Sequence, residues 1–259
     1  MAKILIKKEK KEFIKELNKE VVVDRGRVYY VSDETKDFSA TEGIISKKDL
    51  NKKEGSLIKS SQGKEFTVIS SDFIDDYKRI RRGSQIITLK DIGHIVAETG
   101  LNKNSKVVDA GAGSGALACY LAYLCKEVVT YEIKDESYDI TKENIKFLAL
   151  KNIKLKKKDI YKGIDEKDVD VVTLDLPSPW NAIKVSDNAL KIGGFLVVYL
   201  PNIMQVSDFV NEIKKYDSFI FIKTIELIER SWKIKGRIAR PKSEGIGHTG
   251  FLTFCRKIR

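Results

Sequence analysis

The chain has 259 residues, 48 Lys plus Arg against 37 Asp plus Glu, a formal net charge of +11, 42% hydrophobic and 33% charged residues. That composition excludes a disordered or fibrous protein and leaves room for an enzyme domain with a smaller companion. No apolar run approaches the roughly 18 residues of a membrane-spanning helix, and the opening MAKILIKKEKKE lacks a signal peptide's apolar core, so a cytoplasmic protein with no membrane association is expected.

In chain order, Lys7 to Glu20 reads as a short charged helix around Phe13, Ile14 and Leu17. Short strands punctuated by turns follow: VVVDRGRVYYV around Asp24 to Arg27, EGIIS, GSLIKS, and KEFTVIS after Gln62-Gly63. They predict a small β-rich domain over residues 1–78. Across residues 79–259 the rhythm changes. Asp91 to Thr99 reads as a helix, then KVVDAG, a helix through Leu117 to Leu124, EVVTYEI, a helix from Glu136 to Leu148, IKLKKKD, VDVVTLDLP, a helix near Trp180 to Leu190, and GGFLVVYLP. This alternation predicts a Rossmann-like α/β fold, a parallel sheet with helices on both faces. After a helix near Gln205 to Lys215 come FIFIKTIELI and GFLTFCRKI with no helical pattern between them, so these two strands are expected to pair antiparallel in a seven-stranded mixed sheet.

The chemistry gathers where strands end. Asp109 leads into Gly111-Ala112-Gly113-Ser114-Gly115-Ala116-Leu117. Alternate glycines let the backbone approach a ligand closely, and the helix that follows offers free N–H groups. The next strand ends at Glu132, an acid placed to accept from two ribose hydroxyls. Gly111, Gly113, Ala116 and Glu132 also fit the dinucleotide fingerprint, which keeps a nicotinamide-dependent oxidoreductase in play. Asp109 favours S-adenosylmethionine, with S-adenosylhomocysteine as product, because a carboxylate attracts the cationic methionine ammonium and repels a pyrophosphate. Asp159 stands at the end of the third strand, where it can accept from an adenine amine. The fourth delivers Asp175-Leu176-Pro177-Ser178-Pro179-Trp180, so Asp175 is the candidate catalytic residue and Trp180 either a stacking face or core. The run is a loose, one-residue-longer version of the Asp-Pro-Pro-Tyr type of motif of methyltransferases acting on exocyclic base nitrogens, which keeps N6-adenine or other nucleic-acid methylation open.

Charge is uneven along the chain: residues 223–259 hold 10 basic and 3 acidic side chains, a net of +7. Arg230, Lys233, Lys235, Arg237, Arg240 and Lys242, with Trp232 among them, suit RNA phosphates and a stacked base, or form a solvated face. His248 reads as a nucleotide contact or as an anchor for the final strand. Two histidines, His94 and His248, are too few for a His-rich metal centre, and no metal is expected. The three cysteines, Cys119, Cys125 and Cys255, contain no CxxC pair and suit a reducing compartment, and Cys119 and Cys125, on one helix, read as buried packing.

Taken in order, FSATEGIISKKDL, GSLIKSSQGKEFTVI, Arg81-Arg82-Gly83-Ser84-Gln85-Ile86-Ile87 leading to Lys90-Asp91, VVDAGAGSGAL, TYEIK, LDLPSPW, Arg240-Pro241 and His248-Thr249-Gly250-Phe251-Leu252 resemble the class I tRNA adenine N1-methyltransferases. These modify position 58, and in archaea often 57, of the T loop. The resemblance covers most of the chain. It implies that Gln85, Ser114 to Leu117, Glu132, Asp159 and Asp175 serve the cofactor, that tRNA is the partner, and that the enzyme is a homotetramer. The set of expected cofactor contacts is thus Gln85, Asp109, Gly111, Gly113, Ser114, Gly115, Ala116, Leu117, Glu132, Asp159 and Asp175, with Arg230, Trp232, Lys233, Arg237, Arg240 and His248 toward RNA. The chain departs from the family pattern at Leu89, where Pro is common before Lys-Asp, at Thr88, and at Ala40, which replaces a common His.

Overall fold

The computed structural model describes residues 2–83 and 85–259. The chain divides into two compact units, residues 1–79 and 80–259.

In the first unit, Arg27–Val31, Lys3–Lys7, Glu65–Ser70 and Leu57–Lys59 lie side by side as an antiparallel sheet. Leu5, Val31, Ile45, Leu50, Ile58, Phe66 and Val68 close a small core against it. Lys7 is buried, and its charge is met by Asp24 at 2.6 Å and Glu42 at 3.0 Å, which is what makes burial of a lysine tolerable. The helix expected over residues 7–20 is absent. Lys10–Ile14 pairs with Lys19–Asp24 in a hairpin that turns through Asn18 at φ +45°. Phe13 and Leu17 are exposed, so a helix here has no apolar stripe to bury. The β-branched run Val21–Val23 favours the extended alternative. That valine strand pairs backward with Lys10–Ile14, while Arg27–Val31 pairs with Lys3–Lys7.

The second unit is a three-layer α/β fold. Its large sheet is built from β1 Lys106–Ala110, β2 Glu127–Glu132, β3 Ile153–Lys157, β4 Val169–Leu174, β5 Leu190–Leu200, β6 Phe219–Glu226 and β7 Phe251–Lys257. The spatial order is β3-β2-β1-β4-β5-β7-β6, with β7 antiparallel to both neighbours and the first five strands parallel. This is the expected seven-stranded mixed sheet of the Rossmann-like methyltransferase type. Helices α1 Leu89–Thr99, α2 Ala116–Leu124, α3 Asp135–Phe147, α4 Ile183–Ala189 and α5 Ile203–Ile213 pack on it. Val108, Val129, Val172, Leu196 and Val198 are buried on the central strands, which are covered on both faces, hence their near-continuous apolar runs. Cys119, Cys125 and Cys255 are free and buried, and burial pushes their thiols up to about 12, 11 and 12. They pack and are inert at neutral pH. One element was not foreseen: the segment between β6 and β7 forms a hairpin, Trp232–Lys235 against Ile238–Pro241.

Among the described residues no helix is long and apolar enough to cross a membrane. Among them, too, no cluster of His, Cys, Asp and Glu is arranged to hold a metal ion.

Candidate active site

Parallel strands all end at one edge of a sheet, and the loops leaving β1, β2 and β4 meet there. Gly111, Gly113 and Gly115 take φ values of +84°, +58° and +74°, left-handed backbone that turns β1 sharply into α2. Gly115 is the N-cap of α2. Helix α3 forms a second layer behind the loop. Thr141 Oγ1 donates to the Gly113 carbonyl at 3.1 Å, and a Cβ on Gly115 would stand 2.8 Å from the Thr141 methyl. Asn144 Nδ2 donates to the carbonyls of Ser114 and Arg81, each at 2.8 Å, while its Oδ1 accepts from the Arg81 N–H at 2.8 Å. Arg81 itself reaches Glu143 at 3.0 Å.

A cavity of about 360 Å³ opens above this loop. Its walls include Gln85, Asp109, Gly111, Gly113, Ser114, Ala116, Leu117, Glu132 and Asp175, nine of the expected cofactor contacts, brought together from four separate stretches of chain. Gly115 shapes the turn from behind. Asp159 is absent from the lining; its carboxylate caps the next turn by accepting from the Tyr161 N–H at 3.0 Å. Ser84, within the segment that resembled the family, lies outside the described residues. The expected set lacks Ile86, Ile87, Ala112, Ile133, Lys134, Ser137, Leu176 and Pro177, which complete the walls. Most sit one or two places beyond a residue it did name, and the signal was simply that loop residues after a strand end face the same space.

Three carboxylates line the cavity and are held differently. Asp109 is buried, with Thr130 donating to one oxygen at 2.6 Å and Thr173 to the other at 2.7 Å. Both threonines are its direct lateral partners on β2 and β4. Burial raises the Asp109 carboxyl above its ordinary value, against the pull of these two bonds. Glu132 accepts from the backbone N–H groups of Gly113, Ile133 and Lys134 at 2.9, 2.8 and 2.9 Å, so it fixes the glycine loop to the end of β2. Asp175 is anchored through its backbone, its N–H donating to the Ala110 carbonyl at 2.9 Å. Burial, and then the nearby Asp109 charge, push the Asp175 carboxyl up to about 7. A carboxyl poised there can accept hydrogen bonds and exchange a proton near neutrality.

These walls fit S-adenosylmethionine on chemical grounds. The set has three carboxylates against one lysine, Lys134, and suits a ligand carrying a sulfonium and an ammonium. A dinucleotide's pyrophosphate would meet the same three acids unfavourably. Ser114 Oγ is buried without a partner among the described residues, a hydroxyl left over for a ligand's polar atom. Apolar Ile86, Ile87, Leu117 and Leu176 offer walls for a flat ring.

The other named residues fall outside the cavity. Trp180 packs against the core, so it is a structural side chain. His248 is engaged on both ring nitrogens, Nδ1 with Glu226 Oε1 at 2.5 Å and Nε2 with the Pro201 carbonyl at 2.8 Å, and it anchors the approach to β7. Glu226 raises its pKa, followed by the Pro201 contact. Arg230, Trp232, Lys233, Arg237 and Arg240 are exposed on or beside the hairpin. His94 stands edge-on to Phe254, with ring centroids 5.8 Å apart.

Comparison with known proteins agrees with this geometry. The family model described as the tRNA methyltransferase complex GCD14 subunit matches residues 79–238. The tRNA (adenine(57)-N(1)/adenine(58)-N(1))-methyltransferase TrmI of Methanocaldococcus jannaschii is 35% identical over 266 residues, spanning 91% of this chain and 93% of that protein. The tRNA (adenine(58)-N(1))-methyltransferase TrmI of Thermus thermophilus is 29% identical over 208 residues, 78% of this chain and 81% of its own. Among solved structures, a SAM-dependent O-methyltransferase from Thermotoga maritima aligns with a TM-score of 0.80 at 29% identity over 99% of this chain and 93% of that one. The tRNA (m1A58) methyltransferase TrmI from Aquifex aeolicus aligns at 0.76 and 25% identity over 99% and 97%. A family model matched over more than half of the chain, and a relative 35% identical across nearly all of it, show that this protein belongs to the family of the tRNA methyltransferase complex GCD14 subunit.

Proposed function

We propose that this protein is an S-adenosylmethionine-dependent tRNA (adenine-N1)-methyltransferase that modifies adenine 58, and adenine 57 beside it, in the T loop. The observation that carries the reading is Asp175, at the end of β4, on the wall of a cavity whose acids suit a cationic cofactor. Bound S-adenosylmethionine supplies an electrophilic methyl group. In the proposal, Glu132 accepts from the ribose hydroxyls, Asp109 and Ser114 face the methionine end, and Gln85 closes the mouth.

The target base must leave its stack, because N1 is covered in a pair. Adenine N1 already owns a lone pair, so orientation matters more than a strong base. Asp175 accepts a hydrogen bond from the N6 amine and so turns N1 toward the cavity. As N1 becomes alkylated, positive charge spreads to N6 and its protons become acidic. An ionised Asp175 stabilises that charge and takes up the proton. The proposed working form is a cytoplasmic homotetramer, checked by light scattering of the purified protein.

A nicotinamide-dependent oxidoreductase would need its pyrophosphate beside Asp109, Glu132 and Asp175, which argues against it. The deciding experiment is mass spectrometry of nucleosides from unmodified tRNA incubated with protein and S-adenosylmethionine. N1-methyladenosine is expected. N6-methyladenosine, an unmethylated product, or thermal stabilisation by NAD in place of S-adenosylhomocysteine would overturn the reading.

A further inference from the structure

The hairpin between β6 and β7 sorts its side chains by charge. It pairs Trp232 with Pro241, Lys233 with Arg240, Ile234 with Ala239 and Lys235 with Ile238, and closes at Gly236, φ +57°. The Lys242 N–H donates to the Ser231 carbonyl at 2.9 Å, extending the ladder by one pair. Residues directly opposite in an antiparallel pair share a face, and successive residues alternate. One face therefore carries Trp232, Ile234, Ala239 and Pro241. The other carries Lys233, Lys235, Arg240 and Lys242 beside Ser231 and Ile238. All the cations of the ladder stand on one side.

Nothing among the described residues neutralises them. Among the described residues none of the four is in an ion pair; Arg240 Nη1 reaches only Ser243 Oγ at 3.2 Å and the Pro241 carbonyl at 3.5 Å. Several lysines on the body of the same unit do meet a carboxylate: Lys90 meets Asp91 at 2.8 Å, Lys156 meets Asp165 at 2.9 Å, and Lys223 meets Glu98 at 2.7 Å. A face kept merely soluble interleaves both signs. A single-sign strip of unpaired cations is complementary to a polyanion.

Its place in the fold gives the strip a direction. β6 ends where β7 begins, Glu226 opposite Phe251, and Phe251 is opposite Leu200 at the end of β5. The hairpin thus leaves the sheet at its carboxyl edge, the edge from which Asp175 extends. His248, bridging Glu226 and Pro201, fastens the returning arm there. The register also revises the RNA-facing set. Lys233 and Arg240 remain, Lys235 and Lys242 join them, Trp232 lies on the opposite face, and His248 is spent on the anchor.

Resting on the tRNA reading above, we infer that the Lys233, Lys235, Arg240 and Lys242 face of this hairpin is a docking ridge for tRNA phosphates, and that its apolar face takes no part in RNA binding. The test uses the full chain and an unmodified tRNA transcript, with affinity measured across salt concentrations. Replacing all four cations by Gln should raise KM for tRNA at least tenfold. It should flatten the dependence of log affinity on log salt by roughly 3 to 4, about one per phosphate contact. Affinity for S-adenosylhomocysteine, melting temperature and kcat at saturating tRNA should stay near native. Ile234→Thr, on the opposite face, should leave the salt slope unchanged. A quadruple variant that keeps the native slope, or that instead changes the oligomeric mass, overturns the ridge while methylation by the native protein leaves the enzyme reading intact. A native protein that neither binds nor methylates tRNA overturns both.

Discussion

The carbonyl oxygen of Asp175 occupies the space that a side chain on residue 111 would need: a Cβ built on Gly111 would lie 2.0 Å from it. The Asp175 N–H, in turn, donates to the Ala110 carbonyl at 2.9 Å. The loop that cradles the proposed cofactor and the acid proposed to receive the base are therefore packed backbone to backbone. Displacing one displaces the other.

Gly111→Ala should for that reason be far worse than an ordinary glycine substitution. It adds a Cβ to a residue at φ +84° and drives it into backbone that cannot yield. A cost of at least about 3 kcal/mol is expected, with S-adenosylhomocysteine binding lost. Gly100→Ala is the comparison: φ is +66° but the space around it is open, so only about 1 kcal/mol of backbone strain is expected. Denaturant unfolding and calorimetric titration of the two variants check this.

Asp175→Asn should lower kcat by roughly 10²-fold or more, while tRNA affinity stays near native. Burial and the Asp109 charge put the Asp175 carboxyl at about 7, and the group must be ionised to stabilise charge on N6. The native kcat/KM should accordingly rise through a limb near pH 7 and fall away below it. That limb should be missing from the residual activity of the Asn variant.

Glu132→Ala removes the acceptor of three backbone N–H groups, from Gly113, Ile133 and Lys134. Hydrogen bonds to a charged group are worth about 1.5–3 kcal/mol each, and water re-satisfies part of what is freed. We expect a loss of about 3 kcal/mol in stability and at least a tenfold weaker affinity for S-adenosylhomocysteine, read by calorimetry. Glu132→Gln, which keeps an acceptor oxygen, should recover part of both.

The His248 anchor should respond to pH. Its pKa is raised above the ordinary imidazole value of 6.5 by Glu226 and then by the Pro201 carbonyl. The contribution of the pair is fully present below the unfolded value and disappears as pH rises through the raised folded value. The chain holds two histidines, so proton NMR should show two sets of imidazole resonances. The one lost in His248→Gln should titrate above 6.5 and move down in Glu226→Gln. A His248 midpoint that Glu226→Gln leaves in place would remove the pairing from this account.

What could be read without coordinates was whatever depends on short spacing. The pattern of apolar residues located β1 to β7 and the five helices to within a few positions, most sharply for the central strands, which are buried on both faces and so apolar nearly throughout. The glycine run after Asp109, the acid at the end of β2 and the acid at the end of β4 were visible for the same reason. In a parallel sheet every strand end is at the same edge. Residues 7–20, expected as a helix, have a charged sequence with no strong period of its own, and pairing of Lys11 and Glu12 with Val22 and Val21 settles the conformation as a hairpin.

Residue identity and local spacing thus determined the fold class, the glycine loop and the acids that line the cavity. Tertiary structure alone decided how they are used. It assigned Thr130 and Thr173 to Asp109, removed Asp159 from the cavity wall, turned His248 into an anchor, and divided the basic tract into a charged and an apolar face. Those outcomes depend on which strands become neighbours and in what register. A one-residue shift in the hairpin would place the same cations on both faces, and nothing in the net charge of +11 would record the difference.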